Sequence, residues 1–110
     1  MARLKTELWV KAQIRTCDVE MIPAVVVKRG DPDGGAVYLR LDRREEGCQL
    51  LSRTYGINGE RIWHGPIGDG PLPPDKVDEY LRKQADFDPD FWVIEIDDPN
   101  RRYEPSDDGV

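Results

Sequence analysis

The chain has 110 residues, 38% of them hydrophobic and 35% charged, with a formal net charge of −6. That length supports one domain with a modest core, and the composition is polar without being that of a disordered chain. The charge is uneven: residues 1–64 carry 11 basic against 9 acidic side chains, and residues 65–110 carry 5 against 13, so the second half repels phosphate backbones and anionic lipid headgroups.

Apolar runs such as Ala24–Val27 are far too short to cross a bilayer. The segment holding Arg3, Lys5 and Glu7 lacks the uninterrupted apolar stretch of a secretory signal. Cys17 and Cys48 are too few for a disulfide framework and form no C-x-x-C pair, so both are expected as reduced core residues. A cytoplasmic address follows, with no membrane association.

Residues 6–20 fit a helix: Val10, Ile14, Cys17 and Met21 recur on one stripe, Thr6 is a usable N-cap, and Pro23 supplies a stop. A strand alternation through Leu8, Val10, Ala12 and Ile14 competes, but it is shorter. Ala24–Lys28 is a β-branched strand, and Gly30–Gly35 is dense turn chemistry, read as a hairpin turn in which Gly34 and Gly35 take positive φ. Ala36–Leu41 alternates, Cys48–Arg53 follows as a third strand, and Asn58-Gly59 marks a hairpin into Glu60–His64. Gly65–Pro74 is a loop. Pro73-Pro74-Asp75 opens a second helix with Val77, Tyr80 and Leu81 inward. Phe91–Ile96, apolar on both faces at its start, belongs partly inside the sheet.

The predicted architecture is a single α+β domain in the order α-β-β-β-β-α-β. Its sheet is mostly antiparallel, with about five strands in a meander and two helices against one face. Residues 98–110 form a polar, acidic tail expected to fray.

The blocks Leu8-Trp9-Val10, Ile22-Pro23-Ala24-Val25-Val26-Val27, Arg29-Gly30-Asp31-Pro32-Asp33 and Gly35-Ala36-Val37 stand ahead of Asp88-Pro89-Asp90 and Trp92-Val93-Ile94-Glu95-Ile96. In that order and spacing they resemble the small alphaproteobacterial family called domain of unknown function 1491 (DUF1491). The resemblance spans nearly the whole chain and implies a small bacterial cytoplasmic protein. It brings no activity, cofactor or catalytic residue. At Glu20-Met21 the family pattern has a small residue and a helix-ending glycine.

Candidate chemistry is sparse. A nucleophile–histidine pair must use His64, and the thiols read as buried. Asp86, Asp88 and Asp90 imitate a calcium loop, but position six is Phe91 where a glycine is needed. A zinc site from Cys17, Cys48 and His64 needs a long-range coincidence. Gly30–Gly35 lacks the Lys-Ser/Thr of a phosphate loop and precedes a strand. Lys28, Arg29, Arg40, Arg43, Arg44, Arg53 and Arg61 form a basic meander, diluted by Asp42, Glu45 and Glu46, in which Arg40 shares a face with Tyr38.

No catalytic residue, metal site or cofactor is expected. The leading reading is a non-enzymatic protein-interaction module, an unidentified protein or a second copy docking on an edge strand or open sheet face, with partly exposed tryptophan at the contact. One alternative is a small-ligand or nucleotide binder, or an enzyme, built around the Gly30–Gly35 loop. Another, disfavoured by charge, is weak nucleic-acid binding. The candidate binding residues are Arg29, Asp31, Asp33, Trp63 and His64.

Overall fold

Helix α1 (Thr6–Val19) opens the computed structural model, which describes residues 5–55, 57–58 and 61–105. Thr6 does not cap it. Lys5 holds the N-cap position, and the Thr6 hydroxyl instead donates to the Gly35 carbonyl at 3.2 Å. The buried stripe runs through Trp9, Val10, Gln13 and Cys17, with Ile14 half-buried, while Met21 is exposed. Met21 lies outside the stripe because it ends the helix: its φ is 60°, its N–H donates to the Asp18 carbonyl, and the Ile22 N–H donates to the Cys17 carbonyl. That pair of bonds is a Schellman closure, with methionine where glycine is usual.

The remaining elements are β1 (Ala24–Lys28), β2 (Val37–Asp42), a 3-10 turn at Arg44–Glu46, β3 (Cys48–Tyr55), β4 (Arg61–His64), α2 (Pro74–Phe87) and β5 (Trp92–Asp97). They form a five-stranded sheet in the order β1-β5-β2-β3-β4. All neighbours are antiparallel except β2 and β5, so the sheet is mixed. The predicted meander therefore holds only for β2-β3-β4. β1 and β2 are not a hairpin, because β5 lies between them. The cause is in β5 itself: Trp92, Val93, Ile94 and Ile96 are all buried, and a strand apolar on both faces is satisfied only inside a sheet. The Asn58-Gly59 turn joins β3 to β4 in sequence, and Gly59 and Glu60 lie outside the described residues.

The helices also depart from expectation, since they cover opposite faces. Val37, Leu39 and Leu41 of β2 align with Trp92, Ile94 and Ile96 of β5 and pack under Trp9, Val10 and Cys17 of α1. Cys48 and Leu50 of β3 pack with Val77, Tyr80 and Leu81 of α2, joined by Tyr38, Ile67 and Leu72. The polar-looking side of β2 is thus covered as well. Arg40 can lie there because Asp78 of α2 accepts from its Nε at 3.0 Å and Glu95 of β5 stands 3.6 Å from its Nη1.

The segment after β5 is anchored where fraying was expected. Asp98 and Tyr103 are buried. The Asp98 carboxylate accepts from the N–H groups of Arg102 and Tyr103 and from Arg43 Nη1, and the Tyr103 hydroxyl donates to Gln13 Oε1 at 2.7 Å. One buried acid thus satisfies a turn and a guanidinium together, a network that composition alone does not reveal. Residues 106–110 of the expected tail lie outside the described residues.

Candidate functional site

β1 carries an irregularity that shapes the surface beside it. Val26 pairs with Ile94 and Lys28 with Val93, so Val27 is an extra residue, a β-bulge. A bulge re-aims the side chains that follow it. Here Lys28 turns to the α2 side, donating to the Pro89 and Phe91 carbonyls with its ammonium 4.3 Å from the Phe91 ring. Arg29 turns to the α1 side, its guanidinium 5.2 Å from the Trp92 ring centroid.

On that side Arg29 meets the first turn of α1. Arg29 Nη2 donates to Glu7 Oε2 at 2.8 Å, and Lys11 Nζ lies 3.4 Å from Glu7 Oε1. Two cations therefore share one carboxylate. Below them Val10, Ile14, Val26 and Trp92 floor an apolar cleft of about 260 Å³. Glu7, Lys11 and Trp92 were not among the expected site residues. The sequence marks Glu7 and Lys11 only as an i, i+4 pair beside the apolar positions Val10 and Ile14, and nothing in it ties them to Arg29 or Trp92.

The Gly30–Gly35 loop braces this cleft. The Asp31 N–H donates to the Asp90 carbonyl, the Gly35 N–H to the Asp31 carbonyl, and the Asp33 N–H to Asp31 Oδ1. Trp92 Nε1 donates to the Asp31 carbonyl at 2.8 Å, which fixes the indole. The loop passes over the start of β5, and a Cβ on Gly30 or Gly35 would run into the Asp90 carbonyl. Close approach, not positive φ, is what requires glycine here. Gly34, read from sequence as left-handed, has no positive φ and has open space where a Cβ would go. Asp31 shapes the turn, and Asp33 pairs with Lys5 at 3.4 Å in solvent.

Trp63 and His64 belong elsewhere. They lie on β4, and β3 and β2 separate that strand from β5. Trp63 stacks on Trp9 with centroids 5.5 Å apart, and the Arg53 guanidinium lies over both rings. His64 Nδ1 sits 2.9 Å from the Ser52 carbonyl, and because a carbonyl only accepts, that nitrogen carries the proton. The structure does not bring these two residues to Arg29, Asp31 and Asp33. Of the three tryptophans, Trp9 and Trp92 are buried, and Trp63 packs half-buried against the core.

Burial pushes the Cys17 thiol up to about 11, with the Asp98 charge adding to it, and burial also raises the Cys48 thiol. Both are protonated at neutral pH and unsuited to nucleophilic chemistry. Asp88 Oδ1 accepts from the Asp90 N–H, which is turn chemistry. Among the described residues no group of three metal-ligating side chains stands together. Much of the basic meander is internally engaged: Arg43 Nη1 is 3.0 Å from the buried Asp98 Oδ2, and Arg44 pairs with Asp97 at 2.8 Å.

The outer side of β1 is different in character. Val25 and Val27 are 56% and 53% exposed. An open groove of about 760 Å³ runs along the strand's start, lined by residues that include Lys11, Arg15, Asp18, Ile22, Val25 and Asp97.

Comparison with known proteins places the chain. No curated protein matches it. A family model described as "Protein of unknown function (DUF1491)" matches residues 4–104. The crystal structure of a DUF1491 family protein from Caulobacter crescentus is similar at TM-score 0.78 and 37% identity, covering 87% of this chain and 89% of that one. An NMR structure of a DUF1491 family protein from the same organism gives 0.77 and 38%, covering 93% and 92%. The solution structure of protein Atu0922 from A. tumefaciens gives 0.72 and 26%, covering 86% of each. Matched by the family model over residues 4–104 and sharing its fold with these relatives, the chain belongs to the DUF1491 family.

Proposed function

We propose that this chain is a cytoplasmic, non-enzymatic protein-interaction module whose contact element is the outer edge of β1, and that the edge closes on a second copy of the chain. The observation that carries the reading is an outermost strand whose exposed side chains are valines. Natural edge strands are blunted by charges, above all lysine. The lysine of this strand, Lys28, is drawn to the Pro89 and Phe91 carbonyls and leaves the edge open.

Antiparallel pairing about a two-fold axis at Val26 sets Val25 of one copy beside Val27 of the other, joining four valines on one face. The bulge at Val27 restricts regular pairing to about three residues, so the dimer is weak, with a Kd on the order of 100 µM. The free, buried state of Cys17 and Cys48 supports the reducing compartment. In addition, no described helix is long and apolar enough to cross a membrane.

Sedimentation velocity from about 10 µM to about 1 mM tests the reading. It predicts a monomer–dimer equilibrium that Val25→Lys abolishes without lowering the thermal midpoint. A monomer throughout, or a dimer indifferent to Val25→Lys, contradicts it.

A further inference from the structure

The geometry points to the cleft between α1 and β1 as a binding site for a small apolar monocarboxylate. This site lies on the α1 face of the sheet, out of the plane in which β1 would pair, so it stands independently of the dimer.

Three observations converge on it. The floor is apolar, from Val10 and Ile14 of the helix to Val26 and Trp92 of the sheet, beneath an open cleft of about 260 Å³. That lies just under the roughly 300–1,000 Å³ of drug-sized pockets and selects a short chain or a single ring. The mouth holds Lys11 and Arg29 against the single carboxylate of Glu7, an excess of one positive charge. Arg29 reaches the mouth because the bulge at Val27 re-aims it, and its guanidinium lies over the Trp92 ring, whose Nε1 is fixed by the Asp31 carbonyl.

Glu7 thus occupies the position a ligand carboxylate would take: it accepts from Arg29 Nη2 and faces the Lys11 ammonium. A bound acid would share or displace it, its oxygens accepting from Arg29 and Lys11 while its hydrocarbon lies along the half-buried Ile14 and Val26 side chains beside Trp92. Charge-assisted bonds of this kind carry specificity for the carboxylate, and the apolar floor supplies the burial.

The test is an NMR titration of the full chain with octanoate, and with octan-1-ol as the uncharged control, read at the Trp92 indole N–H. Octanoate is expected to move that resonance saturably and octanol to leave it nearly unmoved. Arg29→Gln should weaken octanoate binding about tenfold or more, by removal of a charge-assisted bond. Glu7→Gln should strengthen it, because it removes the competing carboxylate. Arg29 is exposed and Glu7 reaches solvent, and unchanged spectra elsewhere show that both variants fold. Equal responses to octanoate and octanol, no response to octanoate at tens of millimolar, or weaker binding in Glu7→Gln overturns the proposal.

Discussion

Met21 holds a left-handed conformation at the end of α1 with its side chain in solvent, so nothing in the packing repays the cost of a Cβ there. Met21→Gly should raise stability by about 1 kcal/mol, measured by urea denaturation at unchanged m-value. The loop glycines give the opposite lesson. Gly30→Ala, driven against the Asp90 carbonyl, should cost about 2–3 kcal/mol, whereas Gly34→Ala should stay within about 0.5 kcal/mol.

Asp98 sets an acid limit on the fold. Burial alone would raise its carboxyl, but the N–H groups of Tyr103 and Arg102 and the Arg43 guanidinium outweigh burial and hold it below the ordinary range. A carboxyl depressed in the folded state stabilises fully above about pH 4, and that contribution is lost as the pH falls through its lower folded-state value. Asp98→Asn should therefore cost about 2–4 kcal/mol at neutral pH. The gap to the unaltered chain should narrow as thermal melts are taken below about pH 4.

Among the elements, both helices and the strands of the β2-β3-β4 meander were legible because each carries its own period or turn. What sequence could not supply was adjacency. The dense turn chemistry of Gly30–Gly35 reads as a hairpin. In the structure the same glycines let the loop pass over the start of β5, and only the two-sided apolar character of Phe91–Ile96 hinted that a strand lay between. The opposite placement of the helices was half visible in β3, where Cys48 and Leu50 face one way and the adjacent Leu51 the other. Arg29 was legible as a site residue, but Glu7 and Lys11 were not, because the bulge that joins them to Arg29 is set by pairing with β5. The anchoring of the segment after β5 also escaped, since it rests on contacts with Arg43 and Gln13 far away in sequence. Truncation after Asp97, which removes Asp98 and Tyr103 together, should accordingly lower the thermal midpoint by about ten degrees or more, at least as much as Asp98→Asn.

For the whole molecule, the net charge of −6 opposes association of two copies, so the valine edge must act against a long-range repulsion. Raising salt from about 20 mM to about 300 mM should tighten the dimer in sedimentation runs, the reverse of what an interface of ion pairs would do. The two proposals give the two surfaces of β1 separate duties, the outer edge for a second copy and the α1 side, with Arg29, for a ligand.

Pairing of two copies along β1 is tested most directly by an isotope-filtered NOE experiment on an equimolar mixture of labelled and unlabelled chain at about 1 mM, above the expected Kd. Intermolecular contacts confined to Ala24–Val27, and lost in Val25→Lys, are expected. Intermolecular contacts along β4 or α2, or none at that concentration, would contradict that pairing.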